Sequence, residues 1–410
     1  MAKRGEHGGE SRSVVDLFCG AGGLSLGLAQ SGLKPIHALD HFPAAVTTYS
    51  ANIGDHALCE EISEATELPS ATVYVGGPPC QGFSSAGMRR QGDARNSLVR
   101  VFAKLIAVHR PQAFVFENVE GFLTTEGGRR VLDLLDPLVE AGYQIHLRKV
   151  NAANFGVPQH RKRILAIGGL GWAPTFPKPT HFAYGAPGAS LVGHDLPPTP
   201  TLIECIGSLP IPSEAEDDSP IPDHFAPAMS EIDLERASLL KPGQRMRDLP
   251  ESLWHPSYTR RANRRVMDGT PTERRGGAPS GVRRLRPDEP SKAITAAARN
   301  EFVHPVHPRT LTLRECARLQ TFPDDFIFVG TASERSILIG NAVPPLLAYN
   351  VGLALLSGLR HRECEATGGK LLSFVPTASN GMSPALRKTT DTVKRRFGLV
   401  EPVVQRMLWS

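Results

Sequence analysis

The sequence predicts a doubly wound α/β fold, a mostly parallel sheet covered by helices, joined to a smaller and irregular second domain. Three observations carry this. Up to the neighbourhood of Gly171, short apolar runs alternate with turn signals and amphipathic stretches, the pattern of βα units around a parallel sheet. Beyond Gly171 the composition turns to proline and glycine and then to arginine, and residues 310–358 return to helix-compatible apolar patterning. A length of 410 residues accommodates two or three domains at roughly 100 to 200 residues each.

Taken in order, strands are expected at 13–18, 36–39, 73–75, 113–116, 144–150 and 163–167, each a short apolar run bounded by turn residues. Helical periodicity marks 98–109 and 129–141. Residues 171–227 are rich in proline and glycine and include Glu214, Glu216, Asp217, Asp218 and Asp223, which reads as irregular connecting structure. Residues 241–300 carry fourteen Lys or Arg, twelve of them arginine, against six Asp or Glu. The segment from His361 onward is basic, with little core signal before residues 399–408. No internal repeat is present.

Composition narrows the class. Forty per cent hydrophobic and 21% charged residues are ordinary for a soluble domain and exclude wholesale disorder or a fibrous repeat. Six scattered cysteines, at 19, 59, 80, 205, 316 and 364, are too few for a disulfide scaffold and read as thiols of a cytoplasmic protein. Residues 1–13 lack the apolar core of a signal peptide. The most apolar stretch, 342–359, holds Pro344, Pro345 and Asn350 and is expected as a buried helix, not a membrane span. The net charge of +5 hides an uneven distribution: residues 241–300 carry +8, residues 361–410 carry +4 and the remainder −7. An acidic partner is therefore expected at the arginine-rich segment.

Four motifs stand at the ends of strands, three where a strand finishes and one where a strand begins. Asp16-Leu-Phe18-Cys-Gly20-Ala-Gly22-Gly23-Leu24 follows a strand and opens a helix, with glycines where a backbone must turn tightly beneath a ligand. Asp40 closes the next strand about twenty residues later, where a ribose hydroxyl needs an acceptor. Ser25 replaces the third glycine of a dinucleotide fingerprint and no cation stands nearby for phosphates, so a phosphate-free adenosine ligand such as S-adenosylmethionine fits better. The second motif, Gly76-Gly77-Pro78-Pro79-Cys80-Gln81-Gly82-Phe83-Ser84, sets Cys80 at the carboxyl edge of the sheet behind two prolines that fix the backbone. Third, Glu117-Asn118-Val119 ends an apolar run, which suits a carboxyl that holds or gives a proton. Fourth, Gln159, Arg161 and Arg163 alternate before a strand and are expected to share one face, aimed at a phosphate or carboxylate.

In order and spacing these motifs resemble the bacterial cytosine-C5 DNA methyltransferase family of restriction-modification systems. Asp16 to Gly23 looks like its first cofactor motif, Gly77 to Ser84 its Pro-Cys-Gln loop, Glu117 to Val119 its Glu-Asn-Val, and Gln159 to Arg163 its Gln-x-Arg-x-Arg. Residues 311–326, with Arg314, Glu315, Arg318, Leu319, Gln320 and Pro323, look like the ninth motif, and Gly340-Asn341-Ala342-Val343-Pro344-Pro345 like the tenth. The resemblance covers about residues 13–360.

The resemblance implies a Rossmann-like S-adenosylmethionine-dependent fold and assigns roles. Cys80 is the nucleophile toward cytosine C6, Glu117 the carboxyl at N3, Arg161 a donor to the ring O2 or to that carboxylate, and Arg163 a support for the catalytic loop or backbone. Phe18, Gly20, Gly22, Gly23, Asp40, His41, Glu61, Ile62, Pro79, Leu98, Asn341 and Val343 are the implied cofactor contacts. The chain departs from the family where Cys59-Glu60-Glu61-Ile62 replaces Gly-Asp-Ile, and at His41, where an aromatic residue often stands. Gln81, Ser84, Arg260, Arg264, Arg274 and Arg283 are the implied DNA contacts. The domain reading is 13–172 catalytic and cofactor-binding, 173–310 target-recognising, 311–360 a hinge and returning helix, and 361–410 a basic tail. The expected partner is double-stranded DNA, with a functional link to a cognate endonuclease, no metal, and a monomer.

Three rivals are weaker. A tRNA-directed family member lacks a large basic insert. A catalytically silent DNA-binding relative would lose Cys80 or Glu117, and both are present. A nicotinamide dehydrogenase is disfavoured by Ser25 and has no use for the cysteine loop.

Overall fold

A computed structural model describes residues 12–79, 98–183, 195–256, 258–259, 281–362, 368–377 and 382–399. Contacts divide the chain into two units: residues 1–156, 162–198 and 342–410 form the first, and 157–161 with 199–341 the second.

In the first unit the apolar runs become β1 (Ser13–Leu17), β2 (Lys34–Asp40), β3 (Ala57–Cys59), β4 (Val73–Gly76), β5 (Ala113–Val119), β6 (Tyr143–Asn151), β7 (Lys162–Leu170) and β8 (Lys370–Val375). Among the described residues they make one sheet in the order β8-β6-β7-β5-β4-β1-β2-β3. Every pairing is parallel except those of β7, which runs antiparallel to both β5 and β6. The central strands are apolar on both faces because helices cover both faces. In β5, Ala113 to Phe116 are fully buried and polarity begins only at Glu117, where the strand reaches the carboxyl edge.

The helices that cover the sheet follow from their apolar faces. They are α1 (Gly23–Ser31), α2 (Pro43–Asn52), α3 (Leu98–His109) and α4 (Arg129–Glu140). Val99, Phe102, Leu105 and Ile106 of α3 are buried at helical spacing. Phe102 meets Phe114 and Phe116, which in turn meet Tyr143 and Phe122, with ring centroids 5.1–6.5 Å apart. Such tilted and edge-on pairs add about 0.5 to 1.5 kcal/mol each beyond the area they bury.

The second unit holds α5 (Leu202–Ile206), α6 (Glu231–Leu239), α7 (Leu313–Leu319) and α8 (Ala332–Asn341). It is less irregular than the composition suggests. Ala237, Leu240, Met246, Leu249, Leu253 and Val303 form a small core of their own. Arg314 is fully buried, donating to the carbonyls of Pro222, Pro323 and Phe326.

The unit boundaries differ from those read in the sequence. The second unit takes 157–161 and 199–341, so that it includes 311–341, where α7 packs on both α8 and α5. Residues 342–359 return as α9 (Pro345–Arg360), which lies along α1 in the first unit. Its seam is glycine-tight: a Cβ at Gly27 would stand 2.1 Å from the Pro345 carbonyl oxygen, and one at Gly352 would stand 2.1 Å from Ser31 Oγ. The stretch Ala332–Arg360 is long and apolar enough to cross a membrane, yet 61% of its most apolar window is buried inside the protein. The segment after His361 is no mere tail. It supplies β8 at the sheet edge and α10 (Pro384–Phe397), whose Val393 is fully buried.

Candidate active site

The residues singled out in the first unit converge on the carboxyl edge of the sheet, at the ends of β1, β2, β4 and β5. The turn after β1 is conformationally unusual. Phe18 has φ 64°, Gly20 φ 54° and Gly22 φ 86°, and a non-glycine residue in the left-handed region is a mark of a constrained site. A Cβ on Gly20 would meet nothing within 4 Å, so the backbone there lies open, whereas one on Gly22 would strike Ile53 Cδ1 at 2.3 Å and Tyr49. Gly20 thus serves the open side of the turn and Gly22 the packed side.

Asp40 is fixed by this turn. Its carboxylate accepts from the Gly20 amide at 2.9 Å through Oδ2 and from the Phe42 amide at 2.9 Å through Oδ1. Two backbone donors hold it in one orientation at the rim of the open turn, with lone pairs to spare for a hydroxyl. The exposed His41 has Nδ1 3.4 Å from Asp40 Oδ1. Glu60 and Glu61 are exposed, while Ile62 is buried. With an open glycine turn, an oriented acceptor and a half-buried Phe18, the donor set fits an adenosine-type ligand.

Beneath the turn runs a buried polar chain. Ser25 Oγ donates to Asp16 Oδ2 at 2.6 Å, Tyr49 donates its hydroxyl to Ser25 Oγ at 3.0 Å, and His56 Nε2 lies 3.1 Å from the Tyr49 oxygen. Burial pushes the Asp16 carboxyl up to about 7, partly offset by Ser25 and reinforced by the charge of Asp40. Burial also raises the Tyr49 hydroxyl well above its usual range and lowers His56.

Glu117 and the start of the Gly-Gly-Pro-Pro segment meet at the next strand ends. A Cβ on Gly77 would stand 3.1 Å from Glu117 Oε2, so glycine lets the backbone pass close to the carboxylate. Asn118 Nδ2 donates to the Pro78 carbonyl at 2.9 Å, which pins the segment immediately before Cys80. Arg163 Nε stands 2.7 Å from Glu117 Oε1, both side chains nearly buried. The N–H direction gives Oε1 no aligned hydrogen bond, so the contact is an ion pair by distance and charge. Burial lowers the Arg163 guanidinium, and Glu117 opposes that shift.

Gln159 and Arg161 do not join Arg163. Both are fully buried in the second unit. Arg161 donates to the carbonyls of Ile294 at 2.6 Å and Gly340 at 2.8 Å. Gln159 donates to Leu319 O and Gln320 Oε1 and accepts from the Ile294 amide. The alternation is real but the unit boundary falls inside it, because β7 begins at Lys162. Among the described residues Arg163 pairs with the Glu117 carboxylate; the resemblance gave Arg161 either that role or a contact to the ring O2.

A family model for C-5 cytosine-specific DNA methylases matches residues 12–357. The chain belongs to that family. It is a DNA cytosine-C5 methyltransferase, and its curated relatives are bacterial restriction-modification enzymes. It is 34% identical over 359 residues to the type II methyltransferase M1.HphI of Haemophilus parahaemolyticus, covering 84% of this chain and 87% of that one. It is 32% identical to M.AgeI of Thalassovita gelatinovora, covering 82% and 96%. Among solved structures, a prophage-encoded DNA modification methyltransferase of E. coli superposes with a TM-score of 0.63 at 24% identity, covering 85% of this chain and 99% of that one. The fold is therefore that of the Rossmann-like methyltransferases.

In this methylase the remaining expectations divide. Pro79 is exposed and Leu98 opens α3. Asn341, exposed, ends α8 of the second unit, while Val343, half-buried, belongs to the first. Cys80, Gln81, Ser84, Arg260, Arg264 and Arg274 lie outside the described residues. Within the arginine-rich segment, several described cations are engaged. Arg284 is buried and donates to the carbonyls of Ala237, His304, Pro305 and His307, Arg286 pairs with Asp288, and Arg299 lies 5.7 Å from the Phe225 ring. Arg283 is half-buried beside Arg245 and Arg247, whose charges join burial in lowering its guanidinium. Composition alone does not separate cations that hold carbonyls from cations held for a ligand. The sequence reading also gave no role to Asn118 or to the chain from Asp16 to His56; the serine standing where a fingerprint glycine belongs was the one available signal for the latter.

Proposed function

We propose that this methylase transfers a methyl group from S-adenosylmethionine to C5 of a cytosine within a specific double-stranded DNA sequence, through a covalent bond between Cys80 and C6. The observation that carries the reading is the nearly buried Glu117–Arg163 ion pair beside the backbone that leads into Cys80. Cytosine C5 is a weak nucleophile, and adding a thiolate at C6 makes it enamine-like. Charge then develops toward N3, where Glu117 is suited to share a proton and Arg163 keeps its carboxylate oriented. Asn118 holds the loop that carries the thiol through Pro78. Once C5 has lost its proton, Cys80 is expelled and the double bond re-forms.

S-adenosylmethionine supplies the methyl as an electrophilic sulfonium group when bound. Phe18, the Gly20 turn and Asp40 are the residues that would hold it, since Asp40 is oriented for a ribose hydroxyl. The target base must leave the stack to reach a site of this kind. Residues 173–310, with the arginine-rich stretch 241–300, are assigned to target recognition, where arginine serves both phosphates and guanine edges. Protection against a cognate endonuclease, action as a monomer and a cytoplasmic location complete the proposal.

The test is trapping. DNA containing 5-fluorocytosine should form an adduct with the wild type that survives denaturation, and none with Cys80→Ala. No adduct with a folded wild type that binds S-adenosylmethionine would overturn the mechanism. Bisulfite sequencing of methylated plasmid then names the recognition sequence.

A further inference from the structure

Helix α10 lies beyond the residues matched by the family model, and its charges are arranged in a way that its own stability does not explain. Between Pro384 and Phe397 it carries Arg387, Lys388, Lys394, Arg395 and Arg396 against one acid, Asp391. Cations in the last turn suit the helix dipole. Arg387 and Lys388 stand near the amino end, where the dipole disfavours them and where the first turn holds no acid. A local choice that works against the element carrying it points to a use outside that element.

The buried face of α10 is Thr389, Thr390 and Val393, and Thr389 packs against Gly128 at the start of α4. The opposite face presents Arg387, Lys388, Asp391, Thr392 and Arg395 to solvent along one shallow groove, so three cations stand there with one acid. Of the acids nearby, Asp136 is engaged by Arg396, and Glu126 and Asp133 by Arg130, while Asp391 stands among the cations and offsets one of their charges. Among the described residues Arg387, Lys388 and Arg395 have no ion-pair partner, nor does the exposed Arg129 next to Gly128.

Topology fixes the sheet edge from which the chain leaves toward α10. β8 runs parallel to β6, and β6 parallel to β5 through their common antiparallel neighbour β7. Val375 at the end of β8 therefore lies on the same sheet edge as Glu117, and Ser383 caps α10 eight residues on. Three strand spacings separate β8 from β5 in the sheet order, roughly 15 Å at about 4.8 Å each. That distance is less than the width of a duplex.

We propose that the Arg387–Lys388–Arg395 face of α10 binds the phosphate backbone of the substrate DNA outside the recognised sequence, as a second electrostatic contact made by the catalytic unit. The inference rests on the DNA-methylating reading above. Its partner follows from charge complementarity: three cations without an ion-pair partner among the described residues, spread over two helical turns and outnumbering the single acid of that face, fit an array of phosphates.

The test compares wild type with Arg387→Gln/Lys388→Gln/Arg395→Gln, using fluorescence anisotropy on a mixed-sequence duplex of about 40 base pairs over a range of salt. Three lost phosphate contacts should make the slope of log K against log salt shallower by roughly 2 to 3. Affinity near 0.1 M salt should fall on the order of tenfold, with kcat on saturating plasmid unchanged. The control Arg387→Lys/Arg395→Lys should keep the wild-type slope, because it keeps the charge. Unchanged slope and affinity in a folded triple variant would overturn the proposal. So would an equal loss on a duplex too short to carry flanking phosphates. A wild type that fails to methylate DNA at all would instead overturn the reading on which this rests.

Discussion

Arg163 reaches Glu117 across the β5–β7 pair although the two are not directly opposed: Glu117 faces Leu165, and Arg163 faces Val119. They are diagonal neighbours on one face of an antiparallel pair, a spacing that a long side chain spans. Both are nearly buried, so removing one partner leaves a charge without compensation, a cost of roughly 3 to 5 kcal/mol. Arg163→Ala is expected to lower unfolding stability by about 3 kcal/mol and the single-turnover methylation rate by on the order of a hundredfold. Arg163→Lys should recover much of the stability but less of the rate, since lysine keeps the charge without the planar fork. Chemical denaturation and rapid-quench methylation separate the two effects. A variant that loses stability at an unchanged rate would make the pair purely structural.

Arg161, two residues earlier, should behave differently. Its guanidinium donates to the Ile294 and Gly340 carbonyls, and those acceptors lose a donor when it is removed. Arg161→Ala is expected to cost about 2 to 4 kcal/mol, visible as a lower Tm. Calorimetric binding of S-adenosylmethionine should be retained in the folded fraction, because the Gly20 turn and Asp40 lie in the other unit. A variant of wild-type stability with a lost methylation rate would return Arg161 to the chemistry expected of it from the sequence.

The contrast between these two arginines marks what was legible in the sequence. The strands at 73–75 and 113–116 were legible because turn residues bound their short apolar runs, and the helix at 98–109 because its periodicity is regular. So was the meeting of glycine turn, Asp40 and Glu117 at one sheet edge, since parallel topology brings successive strand ends together. The split at Lys162 was not legible: alternation places Gln159, Arg161 and Arg163 on one face but says nothing of where the chain changes unit. β8 was missed for a related reason. It is a short edge strand between Gly368-Gly369 and Pro376, with only two of its six residues buried, and its pairing with β6 is a contact across more than two hundred residues. The arginine-rich segment showed its charge but not its division of labour, because Arg284 and Arg283 are adjacent and identical in type.

The glycines of the α1–α9 seam offer a clean packing test. Gly27→Ala places a methyl 2.1 Å from the Pro345 carbonyl oxygen and 2.6 Å from the Ala348 Cβ, so the helices must move apart. A loss of about 3 kcal/mol or more is expected from overpacking. Gly20→Ala meets no atom within 4 Å, so its cost is the left-handed backbone alone, roughly 1 to 2 kcal/mol. Thermal melts should rank Gly27→Ala well below Gly20→Ala, whereas binding of S-adenosylmethionine should weaken more for Gly20→Ala. The reverse ranking in stability would contradict the seam.

Asp16 makes stability depend on pH in a direction opposite to most carboxylates. Burial raises its folded-state value to about 7 from 3.8, so between those values the folded protein keeps a proton that the unfolded chain has lost. Its contribution is most favourable below about pH 4 and is lost as pH rises through about 7, a swing on the order of 4 kcal/mol for a fully buried group. Asp16→Asn keeps an acceptor for Ser25 and does not ionise, so it lacks that loss. Relative to the wild type, the variant should gain stability steadily from pH 4.5 to pH 7 and no further above pH 8. Urea denaturation of both proteins at matched pH isolates the difference from other titrating groups, among them Glu315 and Asp324, whose depressed values act in the opposite sense. A difference that stays constant with pH would mean that Asp16 is ionised in the folded protein, held in its charged form by the hydrogen bond from Ser25.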